Sequence, residues 1–136
     1  MVIQQTGAQS ELIVQWTDPV NGLACKAKLD ISYQDHRGKH VIDLKSTGEG
    51  SKAAFLRSCE KYEYERQAAF YLDGAGAKTM TIYGIQKRPP YKVFRKMYTK
   101  KELEEGRRKY RFILSKAQEL QNREFDLSPG LEKKRA

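Results

Sequence analysis

Sulfur and histidine are scarce in this sequence, which has only two cysteines and two histidines among 136 residues. Cys25 and Cys59 stand apart, with no CxxC spacing and no histidine pair beside either. That leaves no disulfide framework and no thiolate zinc site, and both are expected to be buried, reduced thiols. Long apolar runs are also missing, since nothing approaches the roughly 18 residues a membrane-spanning helix needs. The start lacks the basic-then-apolar order of a signal peptide, so a soluble, cytoplasmic chain without membrane partners is expected. Negative charge is the third shortage: 17 Asp and Glu face 26 Lys and Arg. The imbalance is local. Residues 86–136 carry 16 basic and 7 acidic side chains, an excess of 9 that equals the whole net charge of +9. A basic C-terminal part suits a polyanionic partner.

What is present argues for order: 39% of residues are hydrophobic, with eight Tyr, five Phe and one Trp. The length suits one domain, expected over residues 1–127, followed by a basic, disordered tail over 128–136. Residues 11–17, 23–33 and 39–45 read as three antiparallel strands, the first two joined by a turn rich in Pro and Asn-Gly signals. Gly48 and Gly50 break the third strand, and Ser51 caps a helix through Ala53, Ala54, Phe55 and Leu56. A second helical stretch over 62–72 is expected to stop at Asp73-Gly74. Residues 79–85 and 91–97 are two more strands, and 99–123 is a helix with Leu103, Tyr110, Ile113, Ala117 and Leu120 near heptad spacing. The pattern predicts an α/β fold, a mixed central sheet flanked by helices.

The chemistry concentrates on the third strand. Side chains alternate across a strand, so Asp43 and Lys45 share a face while Leu44 lies on the other. A hairpin through residues 34–38 would bring Asp30 beside them, converging two carboxylates and an ammonium. Mg²⁺ or Mn²⁺ takes oxygen ligands and keeps several waters, so Asp30, Asp43 and the backbone carbonyl of Leu44 would suffice against a phosphate. Lys45 would sit near an attacking water or a developing phosphorane charge. That arrangement suits phosphodiester hydrolysis. Ser46, Thr47 and the amides of residues 48–50 would meet a phosphate at the mouth. Lys52, Arg57, Lys87, Arg88, Lys92, Arg95 and Lys96 would contact DNA backbone, with little sequence specificity. His36 and His40 read as polar residues of the turn rather than a two-histidine metal site.

Three blocks, Gly22-Leu-Ala-Cys-Lys-Ala-Lys-Leu-Asp30, Val41-Ile-Asp-Leu-Lys-Ser-Thr47 and Tyr62-Glu-Tyr-Glu-Arg-Gln-Ala-Ala-Phe-Tyr-Leu-Asp-Gly74, occur in this order. Together they resemble the PD-(D/E)xK nuclease superfamily, and within it the RecE and lambda exonuclease group of phages and prophages. The resemblance implies a restriction-endonuclease-like core. It places Asp30 and Asp43 as the motif acids, Lys45 as the motif lysine and Gln67 as the glutamine that the following helix directs to the site. Tyr64, Gln67 and Tyr71 fall on one helix face, with Tyr71 expected in the core. Leu29 stands where the family often has Pro. Family members usually begin with a helical region supplying a further ligand; here Asp18, and less so Glu11, are the nearest upstream acids. The implied function is a metal-dependent 5′-to-3′ exonuclease on double-stranded DNA, used in recombination. A ring-shaped homo-oligomer and a single-strand annealing partner protein are implied with it, in a bacterial host or phage-encoded. Two alternatives stand beside it: a catalytically silent nucleic-acid-binding module of the same fold, and a structure-specific endonuclease.

Overall fold

A computed structural model describes residues 7–127 of the chain, and side chains through residue 123. The tail expected over 128–136 lies outside the described residues. The chain runs β1 (Gln9–Thr17), β2 (Ala24–Asp35), β3 (Gly38–Thr47), α1 (Lys52–Lys61), α2 (Tyr64–Ala75), β4 (Thr79–Gln86), β5 (Val93–Met97) and α3 (Lys100–Leu127). The strands form one sheet in sequence order. Only β3 and β4 pair in parallel, because α1 and α2 carry the chain back between them. The sheet is therefore mixed, as the sequence pattern predicts.

Local chemistry fixes the helix ends. The Ser51 hydroxyl accepts the Ala54 amide at 3.2 Å and starts α1, which buries Phe55 and Cys59 one turn apart. Cys25 and Cys59 are both free and buried. Thr99 and Glu102 begin α3 reciprocally: the Glu102 amide donates to the Thr99 hydroxyl at 3.2 Å, and the Thr99 amide to the Glu102 carboxylate at 3.0 Å.

The expected stop of α2 at Asp73-Gly74 is not where the helix ends. It continues to Ala75 and closes at Gly76, whose φ of 65° lets its amide and that of Ala77 reach the carbonyls of Asp73 and Leu72. Gly74 is glycine for packing instead: a Cβ there would meet the Trp16 ring at 2.3 Å. The heptad expected along α3 also holds only in its first half. Leu103 and Tyr110 are buried, whereas Ile113, which lines an open cleft beside α2, and Leu120 are exposed.

The core lies where α2 crosses β1, β2 and β4, around Leu29, Val41, Phe55, Met80 and Ile82. Fully buried Ala68 and Ala69 let α2 sit close to its neighbours. Gly106 does the same for α3, since a Cβ there would fall 2.0 Å from the Glu65 carbonyl oxygen. Gly106→Ala is expected to destabilise the chain by about 1–3 kcal/mol, the usual cost of overpacking. Gly48→Ala, where nothing lies within 4 Å, should change stability little. Urea unfolding of the two variants beside wild type measures the difference, and equal midpoints would refute the close contact.

Candidate active site

The sheet forks at Asp30 and Asp43. The β2–β3 ladder runs from Asp35↔Gly38 to Ile31↔Ile42 and stops there. Below it the first half of β2 pairs only with β1, and the last half of β3 only with β4. A local distortion of β2 accompanies the parting. Burial alternates through Ala27 and Leu29 but then falls on Ser32 instead of Ile31, opposite a left-handed Glu11 with φ 52°. Leu44 would be left with an unpaired amide on the side β2 has vacated. The Asp30 carboxylate accepts that amide at 2.8 Å, standing in for the missing strand.

Asp43 lies across the fork, 5% exposed. Its Oδ2 is 3.0 Å from the Lys45 ammonium, within ion-pair reach, yet out of line for a hydrogen bond, so this buried oxygen has no hydrogen-bond partner. Burial pushes the Asp43 carboxyl up to about 6; Lys45 opposes the shift and neighbouring Asp30 adds to it. Lys45 is held from α2: its Nζ donates to Gln67 Oε1 at 2.7 Å and lies 4.6 Å from the centre of the Tyr64 ring. Tyr64 and Gln67 reach the same ammonium because they are one helical turn apart.

The donor chemistry fits a hard divalent cation. Asp43 offers a buried carboxylate oxygen that is ion-paired with Lys45 but has no hydrogen-bond partner, and Asp30 is its neighbour. A strand residue projects its N–H and C=O to the same edge, so the Leu44 carbonyl faces the fork along with the amide held by Asp30. Among the described residues no group of three or more His, Cys, Asp or Glu side chains converges. Two carboxylates and a carbonyl, with water or phosphate completing the shell, match the oxygen-only coordination of Mg²⁺ or Mn²⁺.

Several expected residues are placed elsewhere. Asp18 donates its amide to the Leu23 carbonyl, just before β2 begins, seven residues from Asp30 and so roughly 23 Å away along the strand. Its carboxylate, 2% exposed, accepts the amides of Val20 and Asn21 and pairs with Arg111. Burial would raise its pKa, but the Asn21 amide and Arg111 hold it below the usual range. It has no free lone pair directed at the fork. Glu11 is exposed and pairs with Lys28 at 3.3 Å. Thr47 is buried: its hydroxyl accepts the Glu49 amide at 3.1 Å and its carbonyl the Lys87 amide, so it shapes the loop and offers no phosphate contact. Lys96 is spent on Glu102 at 2.6 Å. His40 is no turn residue, being buried in β3 between Thr79 and Asp35, each at 2.8 Å. His36, in contrast, is exposed in the turn.

Ser46, Lys52, Arg57, Lys87, Arg88, Lys92 and Arg95 are exposed. Lys92 donates to the Gly50 carbonyl at 3.1 Å, tying the β4–β5 turn to the glycine loop after Lys45. Two features escaped the sequence: the ring of Tyr64 against Lys45, and a cleft lined by Tyr62 from one side and Ile113 from the other. The signal for the first was the shared helix face of Tyr64, Gln67 and Tyr71.

None of the curated proteins compared matches the chain. Two solved structures are similar in fold. One is a candidate exonuclease from Eubacterium rectale, with TM-score 0.61 and 18% identity over 84% of this chain and 45% of its own. The other is an alkaline exonuclease from Laribacter hongkongensis, with TM-score 0.51 and 17% identity over 90% of this chain and 66% of its own. The chain thus spans less than two thirds of either protein's length. Their fold and the forked sheet agree with the family that residues 1–129 match, and the chain belongs to it: the PDDEXK-like domain of unknown function (DUF3799).

Proposed function

We propose that the chain is a metal-dependent deoxyribonuclease domain that hydrolyses phosphodiester bonds at Asp30, Asp43 and Lys45. One observation carries this function: a buried carboxylate oxygen of Asp43, without a hydrogen-bond partner, faces Asp30 in a sheet fork 3.0 Å from an ammonium. Asp30, Asp43 and the Leu44 carbonyl would hold Mg²⁺ or Mn²⁺, which when bound supplies Lewis acidity toward a phosphoryl oxygen and a more acidic water. Gln67 holds the Lys45 ammonium by its carbonyl oxygen and Tyr64 flanks it, so Lys45 presents a fixed positive charge where negative charge grows on the phosphorane. Ala68 and Ala69, fully buried next to Gln67 in sequence, seat α2 against the core.

Exposed Ser46, Lys52, Arg57, Lys87, Arg88, Lys92 and Arg95 and the amides of the glycine loop support contact with the DNA backbone, which carries no base information. The resemblance of the three sequence blocks supports the finer function of a phage-type 5′-to-3′ exonuclease on duplex ends, acting in recombination. The ring-shaped homo-oligomer and the single-strand annealing partner have that same support.

Lys45→Ala should lower cleavage by at least about a hundredfold, as for loss of one charge-stabilising group, while DNA binding stays close to wild type. The assay is release of 5′ label from linear duplex with Mg²⁺ or Mn²⁺ against EDTA. Equal turnover of variant and wild type would overturn the assignment, and nicking of a covalently closed circle would identify an endonuclease instead.

The pH dependence follows from Asp43. Its folded pKa of about 6 lies above the ordinary 3.8, so between these values the folded state binds more protons than the unfolded one. In EDTA, this group makes stability fall as pH rises through that window, by at most about 1.4 kcal/mol per pH unit. Asp43→Asn should remove that slope in urea unfolding. Because a proton on Asp43 competes with the cation, Mn²⁺ affinity should climb up to about tenfold per pH unit towards pH 6 and then level. Calorimetric titration at pH 5, 6 and 7 tests this, and a flat affinity would count against Asp43 as a ligand.

A further inference from the structure

Among the described residues, three that are not glycine hold a left-handed backbone: Glu11, Glu63 and Tyr91. Glu63 and Tyr91 lie in connections between elements, whereas Glu11 is inside β1. A φ of 52° within a strand is costly for any residue with a Cβ. The Glu11 side chain does not account for it. That side chain is 74% exposed, and its pair with Lys28 is a surface contact worth little.

The strained residue stands opposite Asp30. Leu12 pairs with Leu29 and Ser10 with Ile31, so Glu11 faces Asp30 and neither strand carries an inserted residue. A bulge is thereby excluded, since it sets two residues against one. Regular alternation from buried Leu29 would put Ile31 in the core and turn Asp30 to the opposite face. Instead Ser32 is buried, paired with the core residue Val41, and Ile31 is only half-buried. The inward face therefore shifts by one residue between Leu29 and Ser32. A rotation of the paired backbone at positions 11 and 30 produces that shift, and the left-handed φ of Glu11 takes it up. Asp43 shares the core face with Val41. Without the rotation Asp30 would point to the other face of the sheet from Asp43; with it, the Asp30 carboxylate turns towards β3 and reaches the Leu44 amide.

We propose that Glu11 is a positioning residue: its left-handed backbone, and not its carboxylate, is the hinge that turns β2 and delivers Asp30 into the fork. β1 is an edge strand, so it can twist there without breaking a second ladder. The hinge belongs to the geometry of the fork and holds whatever reaction takes place at it. Position 11 should accept residues in the order of their tolerance for a left-handed backbone, Gly and Asn before Ala, and Ala before Val.

The test is amide hydrogen exchange of Leu44, followed by NMR in EDTA, with the Ile82 amide as a core reference and Asp30→Ala setting the rate of an unheld Leu44 amide. Glu11→Gly and Glu11→Asn lose the carboxylate but accept the backbone, and should keep Leu44 at the wild-type rate. Glu11→Val should speed exchange at Leu44 by at least about tenfold and leave Ile82 unchanged. Should Glu11→Val not fold, Glu11→Ala should show the same selective change at smaller size. Wild-type exchange at Leu44 in these two variants would overturn the hinge, as would an equal gain at Leu44 and Ile82. Faster Leu44 exchange in Glu11→Gly and Glu11→Asn would also overturn it, because the Lys28 pair would then be what matters. Mn²⁺ affinity should fall together with Leu44 protection. A chain that shows the exchange pattern and binds no Mn²⁺ still supports the hinge and counts only against the metal-dependent function.

Discussion

The hydrogen bond from the Leu44 amide to the Asp30 carboxylate is what the rest of the site depends on. Two paired strands leave no room between them for a ligand, because their backbone groups satisfy each other. Parting them costs an unpaired amide and carbonyl on each side unless something replaces the lost partner. Asp30 supplies that replacement from its own strand, so the fork stays open without an orphan amide. The same substitution brings its carboxylate next to Asp43 and turns the Leu44 carbonyl towards the opening. One side chain thus satisfies the backbone and shapes the site.

The fork also explains why Asp43 is perturbed. It is buried beside its register partner Ile82 of β4, and Asp30 adds like charge, so the ionised form is disfavoured despite Lys45. Lys45 cannot compensate fully because its ammonium is shared with Gln67 and with the Tyr64 ring. A carboxylate kept costly in this way gains from any cation that enters. Carboxylates perturbed in this way are common where charge is used for function.

The basic excess of the chain is distributed differently from what its sum implies. Much of α3 neutralises acids that would otherwise be left near the core: Arg107 pairs with Asp73 at 2.7 Å, Lys109 with Glu63 and Glu65, and Arg111 with Asp18. Tyr110 donates to the same Asp73 carboxylate and closes the network between α2 and α3. These cations bind helices together and are lost to a polyanion. Lys52, Arg57, Lys87, Arg88, Lys92 and Arg95 are exposed on α1, the β4–β5 turn and β5, while Lys100, Lys101, Arg108, Lys116 and Arg123 are exposed along α3.

Strand alternation and local caps are short-range, which is why they could be read directly. Asp43 and Lys45 share a face because a strand repeats every two residues, and the strand–helix order, the Ser51 cap and the mixed sheet follow from patterns a few residues long. Helix ends were less legible where tertiary contact overruled local preference: Gly74 looks like a stop but is small because Trp16 lies against it. Asp18 looked available because sequence shows a carboxylate and not the Arg111 that arrives from 93 positions away. The sequence by itself determined which acids and which lysine stand on these strands. Only the tertiary structure decided that β2 and β3 part between them, that one Asp43 oxygen is buried without a hydrogen-bond partner, and that the Tyr64 ring lies against Lys45. Those outcomes depend on how distant segments pack, and packing is set by the whole chain at once, not by any local pattern.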